Sequence, residues 1–178
     1  MLKVPAATAF SLRENLRFQH EYRLLASLAL SRVIRVHDLL PYHGGFIIVE
    51  EDYGACDLAR LLEGKSLTLA DFWPVAMQMA EGLAQLHAHK IIHKDVHLGN
   101  VLIEPQARAV KWTDFGLSTL IEGETPEVSA PDTLEGNLAY ISPEQTGRMN
   151  RPLDYRSDLY SLGVCYYQML TGQLPFSA

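Results

Sequence analysis

The sequence predicts an α+β fold, and three observations predict it. Two short apolar runs, Val33 to Leu40 and Phe46 to Val49, flank the turn-rich cluster Pro41-Tyr42-His43-Gly44-Gly45 and read as a hairpin. Stretches with apolar residues at helical spacing lie on both sides of that hairpin. A second pair of strands, Val101-Leu102-Ile103 and Val110 to Thr113, closes around Pro105.

Taken in order, Met1-Leu2-Lys3-Val4 reads as the end of a strand. Ser11-Leu12-Arg13-Glu14 is a capping box, in which the hydroxyl and the carboxylate each satisfy a backbone N–H that the first helical turn leaves open. Leu16, Tyr22, Leu24, Leu25 and Leu28 supply the apolar stripe of the helix that follows, and Glu21 lies on it. After the hairpin, Asp57 to Leu62 is a short helical stretch closed by Gly64. A longer helix is expected from Asp71 to His89, with Asp71 as N-cap and Pro74 near the start, where its missing N–H does no harm. Phe72, Val75, Ala76, Met79, Leu83 and Leu86 form its buried face, and Met77 is read as core or near-core with Met79. Gly116, Gly123, Pro126, Pro131 and Gly136, with scattered Ser and Thr, mark a long functional loop. Asp158 then opens a helix with Leu162, Tyr166, Met169 and Leu170 inward, closed by Gly172 and Pro175.

Bulk properties bound the function. The 178 residues suit one domain, and 48% hydrophobic with 20% charged content reads as soluble and globular. A formal charge of −6 argues against a nucleic-acid surface. Cys56 and Cys165 fit neither a metal spacing nor a disulfide framework, so a reducing, cytoplasmic setting is expected. No apolar run reaches the roughly 18 residues that suggest a membrane span, and the first residues do not read as a signal peptide.

The chemistry concentrates in Ile91-Ile92-His93-Lys94-Asp95-Val96-His97-Leu98-Gly99-Asn100. Asp114-Phe115-Gly116 and Ser142-Pro143-Glu144 follow in that order, and Lys3 precedes Glu21 by eighteen residues. Each triplet alone is weak, but together they resemble the protein kinases. That resemblance implies a two-lobe kinase-like fold, with 1–50 the remainder of the small lobe, 51–56 the hinge, and 57–178 the large lobe through the helix after the activation segment. It also implies ATP and Mg²⁺ as cofactors and a protein hydroxyl as phosphoryl acceptor. Asp95 would take or orient the hydroxyl proton, and Asn100 and Asp114 would hold Mg²⁺. Lys3, held by Glu21, would grip the phosphates. Glu51 and Tyr53 of the hinge would meet adenine through their backbone, with Leu102 as the apolar floor beneath the ring. Phe115 would plug the core, and Gly116 would turn the backbone in a way a side chain obstructs.

Leu134 to Arg151, followed by Asp154-Tyr155-Arg156-Ser157-Asp158, is similar to a narrower group. This is the Ser/Thr-kinase-like domain at the front of large bacterial signalling proteins, in which an ATPase module, a GAF domain and a histidine kinase follow. Covalently attached signalling domains are therefore expected partners. The resemblance further expects a glycine-rich loop ahead of Lys3 and more helices after Phe176, so the sequence reads as a kinase domain truncated at both ends and weakly active. Glu144 is expected to lack its usual arginine partner. Glu50 stands where an apolar residue usually backs the adenine pocket, and His97 and Asn137 stand where lysine and threonine are usual. These last two are expected to form a neutral network at the γ-phosphate. Lys94 replaces an arginine that pairs with a segment phosphate, with Thr133 the nearest acceptor, so control by that phosphate is not expected.

Other readings stay open at this level. Lys3 also fits a solvated lysine near the terminus and Glu21 an ordinary surface glutamate, and Asp158 fits either a helix cap or a brace for the catalytic loop. The chain also fits a pseudokinase-like nucleotide- or partner-binding module. An aminoglycoside phosphotransferase shares the carboxylate logic, though Ser142-Pro143-Glu144 argues against it, and His87, His89, His93 and His97 make a weak metal set.

Overall fold

The computed structural model describes residues 1–4, 11–120, 136–146 and 153–176. Its first layer is a three-stranded antiparallel sheet of β1 (Leu2–Lys3), β2 (Val36–Tyr42) and β3 (Gly45–Glu50), in the order β1-β3-β2. The hairpin turn is tighter than the sequence suggests, because His43 and Gly44 both take positive φ, at 45° and 81°. Two such residues match the strand twist, so Tyr42 pairs directly with Gly45. Pro41 lies inside β2 opposite Phe46, which an edge strand tolerates because no outer ladder needs its N–H.

Helix α1 (Leu12–Leu25) packs on β3 and starts with the expected capping box. Its buried face differs from the expected stripe. Phe18, Glu21 and Leu25 are buried, with Tyr22 and Leu24 partly buried, while Leu16 is 56% exposed, and Leu28, partly buried, lies beyond the end of the helix. The helix turns Glu21 inward because a lysine on β1 waits for its carboxylate, and that rotation carries Leu16 outward.

The remainder is built on helices. Strand β4 (Cys56–Asp57) leads into α2 (Leu58–Leu62), capped by the Asp57 carboxylate, and then comes the long α3 (Leu69–Ala88). Thr68, not Asp71, caps α3: the Thr68 side-chain oxygen accepts from Asp71 N–H, and Asp71 lies in the first turn. Pro74 is therefore inside the helix, past the turn where a missing N–H does no harm. Phe72, Val75, Ala76, Met79, Leu83 and Leu86 are buried as expected, but Met77 is 69% exposed. It falls on the face opposite the core, as Leu69 and Trp73 do.

Strands β5 (Ile91–Ile92), β6 (Val101–Ile103), β7 (Val110–Trp112) and β8 (Thr119–Leu120) bracket the loops that carry the chemistry. β4, β6 and β7 form one sheet, and β5 pairs with β8. The last helix, α4 (Arg156–Thr171), begins two residues before Asp158, so Asp158 is in its first turn and is not its cap. One apolar cluster runs through Val33, Ile48, Met79, Leu86, Val101, Trp112, Phe115, Leu162 and Met169, and so joins the small sheet to the helical part. Among the described residues no helix is long and apolar enough to cross a membrane.

Candidate active site

Asp158 builds the central loop. Its buried carboxylate accepts the backbone N–H groups of His93 and Lys94, both at 2.9 Å, and His87 Nε2 lies 2.8 Å from the same group. These contacts hold Lys94 at φ 67°, a left-handed conformation that costs a non-glycine residue about 1–3 kcal/mol and persists only where its surroundings over-determine it. The kink turns Asp95 out of the strand direction. Gln145 fastens the loop from the other side, since its Nε2 donates to Lys94 O at 2.9 Å.

Three groups surround the Asp95 carboxylate. Asn100 Nδ2 donates to Asp95 O at 2.9 Å and to Oδ2 at 3.2 Å. The Asn137 N–H donates to Oδ1 at 3.1 Å, and His97 Nε2 is 3.6 Å from Oδ2. Burial works against the charged form, but the His97 ring and the Asn137 N–H hold Asp95 below the ordinary carboxyl value. Gly136, at φ 93°, lets the backbone pass so close that a Cβ would lie 3.0 Å from Asp95 Oδ1.

A second cluster forms across the lobes. Lys3 Nζ lies 2.7 Å from both carboxylate oxygens of Glu21 and 3.1 Å from Asp114 Oδ1. Burial acts to lower the lysine pKa, but the Glu21 and Asp114 charges outweigh it and hold the ammonium above its ordinary value. Glu21 is buried and also accepts the Phe115 N–H at 3.1 Å. Phe115 is fully buried against His93, with ring centroids 4.7 Å apart. The left-handed residue here is Asp114, at φ 62°. Gly116 has no positive φ, and a Cβ there would meet ordinary contacts at 3.5 Å and beyond, which corrects the role expected for it.

The two clusters meet through the backbone, because Thr113 N–H donates to Asn100 O at 3.0 Å and so sets Asp114 beside Asn100. With the Asn100 amide nitrogen donating to Asp95, Oδ1 is the amide atom left to face a cation. Asp114, its side chain 48% exposed, follows Thr113 and would supply a second oxygen. Two oxygen donors and open room suit Mg²⁺, which takes few protein ligands and keeps waters and phosphate oxygens. The four histidines do not assemble into a metal set: His89 Nδ1 meets Gln85 O, His93 Nε2 faces Thr113 O, and His87 and His97 contact different aspartates.

The chain matches the protein kinase domain over residues 2–178. It belongs to the protein kinase family. It is similar to the serine/threonine-protein kinase pkn2 of Myxococcus xanthus, 36% identical over 172 residues, covering 90% of this chain and 19% of that protein. It is similar also to pkn3 of the same organism, at 30% identity covering 91% of this chain and 30% of pkn3. PrkC of Bacillus subtilis is 28% identical, covering 90% of this chain and 24% of PrkC. The chain thus spans less than a third of the length of these relatives.

Within the kinase domain, the stretch after β3 is tied down by side chains that the sequence did not single out. Lys111 of β7 bonds the Glu51 carboxylate and lies 4.8 Å above the Tyr53 ring. Glu51 also accepts Arg35 N–H at 3.0 Å, and its own N–H donates to Arg35 O at 2.9 Å. Burial raises the Glu51 carboxyl, but Lys111 and the Arg35 N–H more than offset it, so its pKa is lowered. Cys56 already pairs with Ile103, and Leu102, partly buried, is the cross-strand partner of Lys111 and so shares its face. A lone lysine in a short strand carries no sequence signal for such a role.

Three further expectations meet particulars of the structure. Glu144, expected to be without its usual arginine, accepts a hydrogen bond from the Ser157 hydroxyl at 2.8 Å. Thr133 lies outside the described residues, as do Gly123, Pro126 and Pro131. Lys94, the residue in place of the expected arginine, lines a cleft with Arg13, Arg17 and His20 between α1 and Gly116 to Thr119.

Proposed function

We propose that this domain transfers the γ-phosphoryl group of ATP to a serine or threonine hydroxyl of a protein. The observation that carries the reading is the convergence of Lys3, Glu21 and Asp114 within 3.1 Å, backbone-linked to the Asp95–Asn100 pair. Lys3 grips the phosphates and is held in place by Glu21. Asn100 and Asp114 hold Mg²⁺, which neutralises phosphate charge when bound. Asp95, held as an anion, orients the acceptor hydroxyl and receives its proton. Leu102 lies under the base, and the carbonyl of Glu51 with the backbone of Tyr53 reads its edge. A cytoplasmic setting and attached signalling domains complete the reading, supported by the free cysteines and by the greater length of the relatives.

The test compares ATP–Mg²⁺ affinity with transfer from γ-labelled ATP to a protein acceptor. Asp95→Asn is expected to abolish transfer with affinity nearly intact, and Asp114→Asn to weaken Mg²⁺-dependent binding. Binding without transfer by the unaltered protein would favour a nucleotide-binding regulatory module instead.

A further inference from the structure

His97 is turned toward Asp95, and local bonding fixes how. Its Nδ1 accepts the Gly99 N–H at 3.1 Å, so in the neutral ring the proton sits on Nε2. Nε2 is the atom 3.6 Å from Asp95 Oδ2. Gly99 makes this placement possible, because a Cβ there would lie 2.9 Å from His97 Cε1 and 3.0 Å from Nδ1. On the other side the Tyr140 ring lies 5.7 Å away, centroid to centroid. Asn137 does reach the same carboxylate, but through its backbone N–H, while its Oδ1 accepts from Ala139 N–H at 3.3 Å. The network expected between the His97 and Asn137 side chains is therefore centred on Asp95.

We propose that His97 is a positioning residue for Asp95: its Nε2–H steadies Oδ2 and fixes the rotation of the carboxylate toward the acceptor hydroxyl. The inference rests on the phosphotransfer reading above and deepens it. At 3.6 Å the contact is longer than a hydrogen bond, and a small turn of the ring about its Gly99 anchor closes it, as catalytic contacts commonly tighten when substrate binds. Misaligning a catalytic group lowers turnover more than ground-state binding.

The experiment measures kcat and KM for ATP in the unaltered protein, His97→Ala and His97→Gln, with ¹⁵N NMR of the imidazole nitrogens. His97→Ala is expected to lower kcat about tenfold with KM for ATP within about twofold. His97→Gln, which keeps an N–H near the Nε2 position, is expected to recover most of the loss. The ring signals should show the Nε2–H tautomer, and Nε2 should shift in Asp95→Asn. A transferring protein indifferent to His97→Ala, or one in which only KM for ATP rises, overturns the positioning role alone. A ring carrying its proton on Nδ1, or unmoved by Asp95→Asn, overturns it without reference to activity. An unaltered protein that binds ATP–Mg²⁺ and transfers nothing overturns the phosphotransfer reading itself, and the positioning role with it.

Discussion

Replacing Glu50 by glutamine should make the protein less sensitive to a rise in pH from 5 to 8. Glu50 ends β3 on the same face as Ile48, whose cross-strand partner is Lys3, so its side chain points toward α1. It is 3% exposed, and its Oε1 has no hydrogen-bond partner. Burial raises its carboxyl pKa from 4.5 to about 7, with Lys3 pulling it down and Glu21 and Asp114 pushing it further up. A raised folded-state value means that the native protein holds this proton more tightly than the unfolded chain. The stabilisation is complete below pH about 4.5 and is lost as the pH rises through about 7. At about 1.4 kcal/mol per unit, the loss between pH 5 and 8 is about 2–3 kcal/mol. Glutamine cannot ionise, and whatever its buried amide costs is the same at every pH, so the difference between the two proteins isolates this one titration. Urea denaturation of both at pH 5, 6.5 and 8 measures it, with a relative midpoint shift of about 1 M expected across that range. A constant difference between the two proteins at all three values would refute the reasoning.

Two further outcomes follow from packing and charge. Gly82→Ala should destabilise by about 1–3 kcal/mol despite better helix propensity, because its Cβ would lie 2.4 Å from Cδ1 of Trp112, a fully buried ring bonded to Met79 O; an unchanged or higher urea midpoint counts against this. Lys111→Met should weaken ATP–Mg²⁺ affinity about fivefold with kcat nearly unchanged, because it releases Glu51 and Tyr53 but nothing at Asp95, and Lys111→Arg should preserve most of the affinity; calorimetric titration with initial rates checks it, and a fall confined to kcat refutes it.

What was legible in the sequence was what local rules determine. The Ser11–Glu14 capping box, the buried face of α3 and the second hairpin depend on neighbours a few residues apart, and they appear as read. The cap of α3 is not legible in the sequence, because Thr68 and Asp71 are both suitable cap residues and only the hydrogen bond from Asp71 N–H to Thr68 distinguishes them. The orientation of α1 was legible only in part from its leucines: Leu24 and Leu25 pack inward as expected, whereas Leu16 faces out and Phe18 and Glu21 face in. A tertiary ion pair sets it, and a hydrophobic pattern carries no term for a buried glutamate. The site shows the same division. Lys3, Glu21, Asp95, Asn100 and Asp114 stood out by spacing, whereas Lys111, Gln145 and His87 act through partners 60, 51 and 71 residues away.

Glu21 shows why the two clusters behave as one. A single buried carboxylate accepts both from the Lys3 ammonium and from the Phe115 N–H, so the Lys3 ion pair and the backbone next to Asp114 share one acceptor. Asp114 sits at φ 62°, a conformation that costs about 1–3 kcal/mol unless its neighbours impose it. They impose it through the buried Phe115 ring and its N–H bond to Glu21. Swinging α1 away from the sheet would therefore remove the partner of Lys3 and one restraint on Asp114 together. The position of α1 thus sets both the ion pair of Lys3 and one restraint on the backbone at Asp114.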